Sequence, residues 1–102
     1  MQVRSKEEIF EQIRSNREQL AEFGVHGIGI FGSFARSEQN EQSDIDILVD
    51  FEPDKKSFTN FMNLAFFLED LFGRKVDLVT RESLSTHIGP KILANVEYGT
   101  LD

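Results

Sequence analysis

Residues 25–51 read VHGIGIFGSFARSEQNEQSDIDILVDF, and this stretch decides the fold. Two runs rich in β-branched and aromatic residues, Val25 to Phe31 and Asp44 to Phe51, are expected strands. Between them the chain turns at Gly32 and Ser33, begins a short helix over Phe34 to Ser37, and crosses a polar loop from Glu38 to Ser43. A Gly-Ser pair directly after an apolar run lets backbone N–H groups approach phosphate oxygens with no Cβ in the way. Asp44 and Asp46 are two residues apart among Ile, Leu and Val, so both side chains leave one face of one strand. Two hard oxygen donors on a rigid strand suit Mg²⁺, which is commonly held by one or two carboxylates together with substrate phosphates.

Working outward, Ser5 and Glu8 have the spacing of a capping box, and Ile9, Ile13 and Leu20 place an apolar stripe on a helix running to Phe23, ended by Gly24. Gly27 and Gly29 weaken the first strand and suggest that a neighbouring backbone comes close. Pro53 and Asp54 close the second strand. Ser57 is the N-cap of a helix through Phe72, Gly73 its stop, Lys75 to Thr80 a third strand, and a last helix starts at Pro90 and ends before Gly99. The order α-β-α-β-α-β-α implies an α+β (mixed α/β) fold, a small mixed sheet flanked by helices. From Phe58 to Phe72 the apolar residues cover more than half the helix circumference, wider than a surface helix requires. Either that helix is deeply buried or one edge meets another protein. Phe66 and Phe67 stand at the two margins, so at least one of them should be accessible.

Size and charge narrow the function. A chain of 102 residues makes one domain, 1–102, with a modest core and no separate substrate-binding unit, so a partner is expected to complete any site. Eighteen acidic against eleven basic residues, a net charge of −7, oppose general nucleic-acid binding, which depends on Lys and Arg neutralising phosphates. Without cysteine there are no disulfides and no thiolate zinc sites. The first residues, MQVRSKEEIF, lack the apolar run of a signal peptide, and no stretch is long enough to span a bilayer, so a soluble cytoplasmic protein is expected.

Alternation alone does not make Asp44 and Asp46 a site, because the solvent side of any half-buried strand has the same pattern. A third acid, Asp77 in KVDLVT, changes the balance. If its strand lies beside the second, three carboxylates converge, and each pair at ~4 Å would repel by roughly 4 kcal/mol at an effective dielectric near 20. Such a cluster makes sense if cations occupy it. Arg36 is either a solvated helix residue or a bidentate contact for a triphosphate or carboxylate oxygen. Ser43 either starts the strand or donates to a ligand carboxylate. His26 and His87 are isolated from the acids, and Lys55, Lys56, Arg74 and Lys75 read singly as solvated surface charges.

At the Gly-Ser turn and the Asp-x-Asp strand the chain resembles the DNA polymerase β-like nucleotidyltransferase superfamily. GSFAR followed by SDIDILV is similar to the minimal nucleotidyltransferases, small proteins that often serve as the antitoxin of a HEPN toxin. The resemblance runs from Val25 to Val96, and Asp77 fills a third family position. One residue departs from the pattern: members commonly carry Gly after the motif arginine, where this chain has Ser37. The resemblance implies transfer of AMP from ATP to a hydroxyl. Asp44, Asp46 and Asp77 would hold two Mg²⁺ ions, with Asp77 also able to act as general base. Gly32 and Ser33 would cradle the triphosphate, and Arg36 and Ser43 would support it. The implied partner is a helical HEPN ribonuclease toxin, modified on a tyrosine, in a homo- or hetero-oligomer. Two alternatives remain open: a small-molecule (aminoglycoside-like) adenylyltransferase subunit, and an antitoxin that acts by occlusion without catalysis.

Overall fold

A computed structural model describes residues 2–101. The first helix, α1 (Lys6–Ser15), has the expected N-cap, the Ser5 hydroxyl accepting the Glu8 N–H at 3.2 Å, but the Glu8 carboxylate returns to the Arg4 N–H at 2.9 Å, one residue before the N-cap that a capping box would use. The expected single helix to Phe23 is instead two, with α2 spanning Arg17–Glu22. Asn16 makes the break. Its backbone leaves the helical region, and its side-chain amide donates to the Gln12 carbonyl at 2.8 Å, offering the chain a local alternative to the helical ladder. The change of direction buries Leu20 in the same cluster as Ile9 and Ile13.

Strand β1 (Val25–Phe31) leads through α3 (Gly32–Ala35) to β2 (Ile45–Phe51), and the two strands pair antiparallel with Ile30 opposite Ile47. A bulge between Val25 and Gly27 leaves His26 exposed, with its Nδ1 3.1 Å from Glu52. Helix α4 (Phe58–Phe72) then crosses to β3 (Val76–Thr80), which lies parallel to β2. Ser57 caps α4 by accepting the Asn60 N–H at 3.0 Å, and Gly73 stops it in the left-handed conformation. The last helix, α5, spans Gly89–Asn95, starting one residue before the expected Pro90 and ending short of the expected limit at Gly99. A two-residue strand, β4 (Glu97–Tyr98), follows it against β1; it is too short to show alternation in sequence. The complete sheet, mixed as expected, has the order β3-β2-β1-β4.

One face of this sheet is the core. Ile28 and Ile30 of β1 and Ile45, Ile47 and Val49 of β2 pack against Ile9 and Ile13 of α1, Leu20 of α2, and Leu64, Leu68 and Phe72 of α4. The broad apolar surface of α4 divides in two. Its inner residues are fully buried, and Phe67 packs on Phe23 in a tilted pair with ring centroids 5.3 Å apart, whereas Phe66 is 61% exposed and Phe58 79%. Accessibility at one margin is therefore met at Phe66. Among the described residues no helix is long and apolar enough to cross a membrane.

Candidate active site

Asp46 and Asp77 lie on the sheet face opposite the core packed by α1, α2 and α4, the side on which Leu48 is also fully buried. Parallel pairing of β2 with β3 sets Asp46 directly opposite Asp77, while their neighbours Ile45 and Val76 point into the core. Asp46 is half-buried and Asp77 exposed. Asp44 precedes the strand, which begins at Ile45, where the Ile45 N–H donates to the Lys75 carbonyl at 3.0 Å. Burial pushes the Asp46 carboxyl from 3.8 up to about 6; the charges of Asp77 and Asp44 push the same way, as does a hydrogen bond with Asp77, and the Arg36 cation opposes them. Asp46 is thus the centre of the group, with Asp77 opposite it and Asp44 beside it. Full convergence of three acids is not what the fold gives. Among the described residues no set of three Asp, Glu or His side chains closes into a preformed metal cage.

The Gly-Ser turn is built against this pair. Gly32 has φ +72°, and a Cβ there would collide with the Asp46 carboxylate, so glycine is required both by the backbone and by the space. Arg36, the C-cap of α3, bonds through Nε to Glu38 at 2.5 Å and lies close enough for its charge to act on Asp46. At Ser37 the backbone is left-handed, φ 56°, the only non-glycine residue with positive φ among those described. That conformation explains a glycine preference after the motif arginine, since a Cβ there is strained.

Two residues differ from their sequence reading. The Ser43 hydroxyl accepts the Asn40 N–H at 2.9 Å and so ties its own loop, with no bond to a site carboxylate. Arg74 is buried, not solvated. Its guanidinium donates to the carbonyls of Asn40 (2.7 Å), Ser43 (3.0 and 3.1 Å) and Val3 (3.3 Å), and stacks 5.1 Å from the Phe34 ring centroid. Because these acceptors are backbone carbonyls, no sequence pattern marks them. Lys55, Lys56 and Lys75 are exposed as expected, as are His26 and His87. A fourth acid also went unread. Asp50 shares a face of β2 with Asp46, but Arg81 holds it at 3.2 and 3.4 Å and donates to the Tyr98 hydroxyl at 2.6 Å. Asp50 is therefore matched by a bonded cation, while Arg36, bonded to Glu38, acts on Asp46 through its charge alone.

An all-oxygen donor set in which one carboxyl resists ionisation fits Mg²⁺, a hard cation that would restore the charge balance. The mixed sheet that carries these paired acids and the Gly-Ser turn has the nucleotidyltransferase fold. The nucleotidyltransferase-domain model matches residues 8–99, and the chain belongs to that family. It is 43% identical over 99 residues to the protein adenylyltransferase MntA of Thermococcus cleftensis, covering 96% of this chain and 99% of that protein. A chain solved as a candidate minimal nucleotidyltransferase superposes with TM-score 0.71 at 33% identity, covering 86% of this chain and 93% of the other. A toxin–antitoxin crystal structure with AMP-PNP superposes with TM-score 0.63 at 27% identity, over 83% and 74% of the two chains.

Proposed function

We propose that this nucleotidyltransferase moves AMP from ATP to a tyrosine hydroxyl of a HEPN-type helical toxin and silences it. The Asp46–Asp77 pair under the Gly32 turn is the observation that carries the reading, because it brings proton-accepting and cation-binding oxygens to the place where a triphosphate can lie. Similarity to a protein adenylyltransferase over nearly the whole chain supports a protein acceptor, and the likeness to a toxin–antitoxin structure with AMP-PNP supports an adenine nucleotide and a toxin partner.

Gly32 and Ser33 present backbone N–H groups and a hydroxyl to the triphosphate, and Arg36 adds a cation. Asp44, Asp46 and Asp77 would hold Mg²⁺, which when bound neutralises phosphate charge and eases ionisation of the acceptor hydroxyl. Asp77, the exposed acid of the pair, accepts the acceptor's proton as the new O–Pα bond forms. The bond from Pα to the bridging oxygen breaks, and pyrophosphate leaves. Most of the catalysis is positioning and charge neutralisation, as phosphoryl chemistry generally requires.

Incubation with α-labelled ATP, Mg²⁺ and a helical HEPN protein from the adjacent reading frame tests this. Label on the partner with wild type, absent with Asp44→Asn, is expected. A partner silenced without acquiring label would overturn transfer in favour of occlusion.

A further inference from the structure

Arg74 is nine-tenths buried, yet none of its hydrogen-bond acceptors is a carboxylate. Burying a guanidinium without an acid is costly unless its N–H groups are well used, and here all three nitrogens donate, to the Asn40–Ser43 loop and to Val3. The Ser43 carbonyl, which takes two of its bonds, belongs to the residue immediately before Asp44. Phe34, beneath the guanidinium plane, is in α3 just after Gly32 and Ser33. Arg74 itself leads into β3, three residues ahead of Asp77. One side chain therefore touches the polar loop of Asp44 and the helix of the Gly-Ser turn from the base of the strand carrying Asp77.

We infer that Arg74 is a positioning residue for the transfer reaction: it fixes the Asn40–Ser43 loop, and through it the Asp44 carboxylate, against α3 and β3. The kinetic consequence rests on the proposed AMP transfer; the geometric one stands by itself. Asp44 is the acid that most needs such support, because it precedes the first paired residue of β2 and has no ladder to hold it. Lysine cannot replace the fork. A single ammonium has neither the planar spread to reach both loop carbonyls nor the face to stack on Phe34.

Arg74→Lys and Arg74→Met separate positioning from simple stabilisation. Residue-resolved amide exchange is followed at Asn40 and Ser43, whose N–H groups bond within the loop, and at Ile30 and Ile47 in the sheet. AMP transfer is measured on the same folded samples. Exchange should rise by about tenfold or more in the loop while the sheet keeps its protection. Turnover should fall by about tenfold or more with KM for ATP changed less than about twofold, because a displaced Asp44 acts on the transition state more than on nucleotide binding. Unchanged loop exchange in a folded variant would overturn the inference, as would wild-type turnover or a loss of protection spread evenly over loop and sheet. If Arg74→Met does not fold, Arg74→Lys carries the test. Absence of transfer by wild type would sink the functional reading instead, and loop exchange alone would then decide the role of Arg74.

Discussion

Strand β2 has two faces made of alternate residues of one segment, and, the fully buried Leu48 on the acidic side apart, they obey opposite physics. Ile45, Ile47 and Val49 are fully buried under three helices and stabilise the fold by leaving water. Asp46, on the other side, is half-buried beside Asp77, with Asp44 adding its charge, and its raised pKa shows that ionising it opposes folding. Asp50 lies on that same side, and Arg81 answers its charge. The site is distinguished not by carrying acids but by leaving a close pair of them without a cation. One face holds the protein together, and the other spends part of that stability on a place for something charged.

The contrast is broken most forcefully from the core side. Phe72 is among the largest fully buried side chains, so Phe72→Ala should cost about 3–5 kcal/mol in denaturant unfolding. That is a large part of the roughly 5–15 kcal/mol available to a small domain. A loss below about 1 kcal/mol would mean that α4 contributes little to the core. Next in size is Asp44→Asn, which should leave the melting temperature near wild type and reduce AMP transfer at least about a hundredfold, since on the proposed mechanism it removes a cation ligand but no packing. Transfer within a few fold of wild type would take Asp44 out of the site.

A smaller effect sharpens the electrostatic half. Because the folded-state pKa of Asp46, about 6, exceeds its ordinary 3.8, the proton it carries stabilises the fold below pH 3.8, and that contribution is lost as pH rises through about 6. Solvent screens a half-exposed carboxyl, so the loss is on the order of 1 kcal/mol. In chelator, the melting temperature of wild type minus that of Asp46→Asn should fall between about pH 4 and 6 and then level off. A difference that stays flat, or rises, across that window would show that Asp46 ionises freely. Smallest of all, Ser37→Gly should stabilise the protein by up to about 1 kcal/mol by relieving a left-handed serine, less what glycine adds to the entropy of the unfolded chain. Destabilisation measured by chemical melting would mean that the Ser37 side chain makes a contact worth more than the strain.

What could be read from sequence followed the range of the interactions. Gly32 and Asp46 are close along the chain, so turn chemistry and strand periodicity were enough to place them, whereas Asp44, expected as the first residue of the strand, lies one residue ahead of it. Asp77 joins them through a parallel register across 31 positions, which no local pattern encodes, and only the family resemblance pointed to it. The close approach foreseen at Gly29 is met: a Cβ there would lie 3.0 Å from the Glu97 carbonyl, although β4 itself was not foreseen. Arg74 was missed because a buried arginine that bonds backbone carbonyls has no partner in sequence to reveal it. Asn16 was missed because a helix break made by one side-chain hydrogen bond leaves the apolar stripe of Ile9, Ile13 and Leu20 intact.

Melting wild type and Asp46→Asn, each in chelator and in millimolar Mg²⁺, tests most directly whether the acid face is strained until a cation fills it. In chelator the variant should melt about 4–8 °C above wild type, the shift that on the order of 1 kcal/mol produces in a chain of this size. Mg²⁺ should raise wild type and leave the variant nearly unmoved, because only the intact acids bind the ion in the folded state. A wild type indifferent to Mg²⁺, together with an Asp46→Asn that melts lower, would show that these carboxylates serve the fold and not a site.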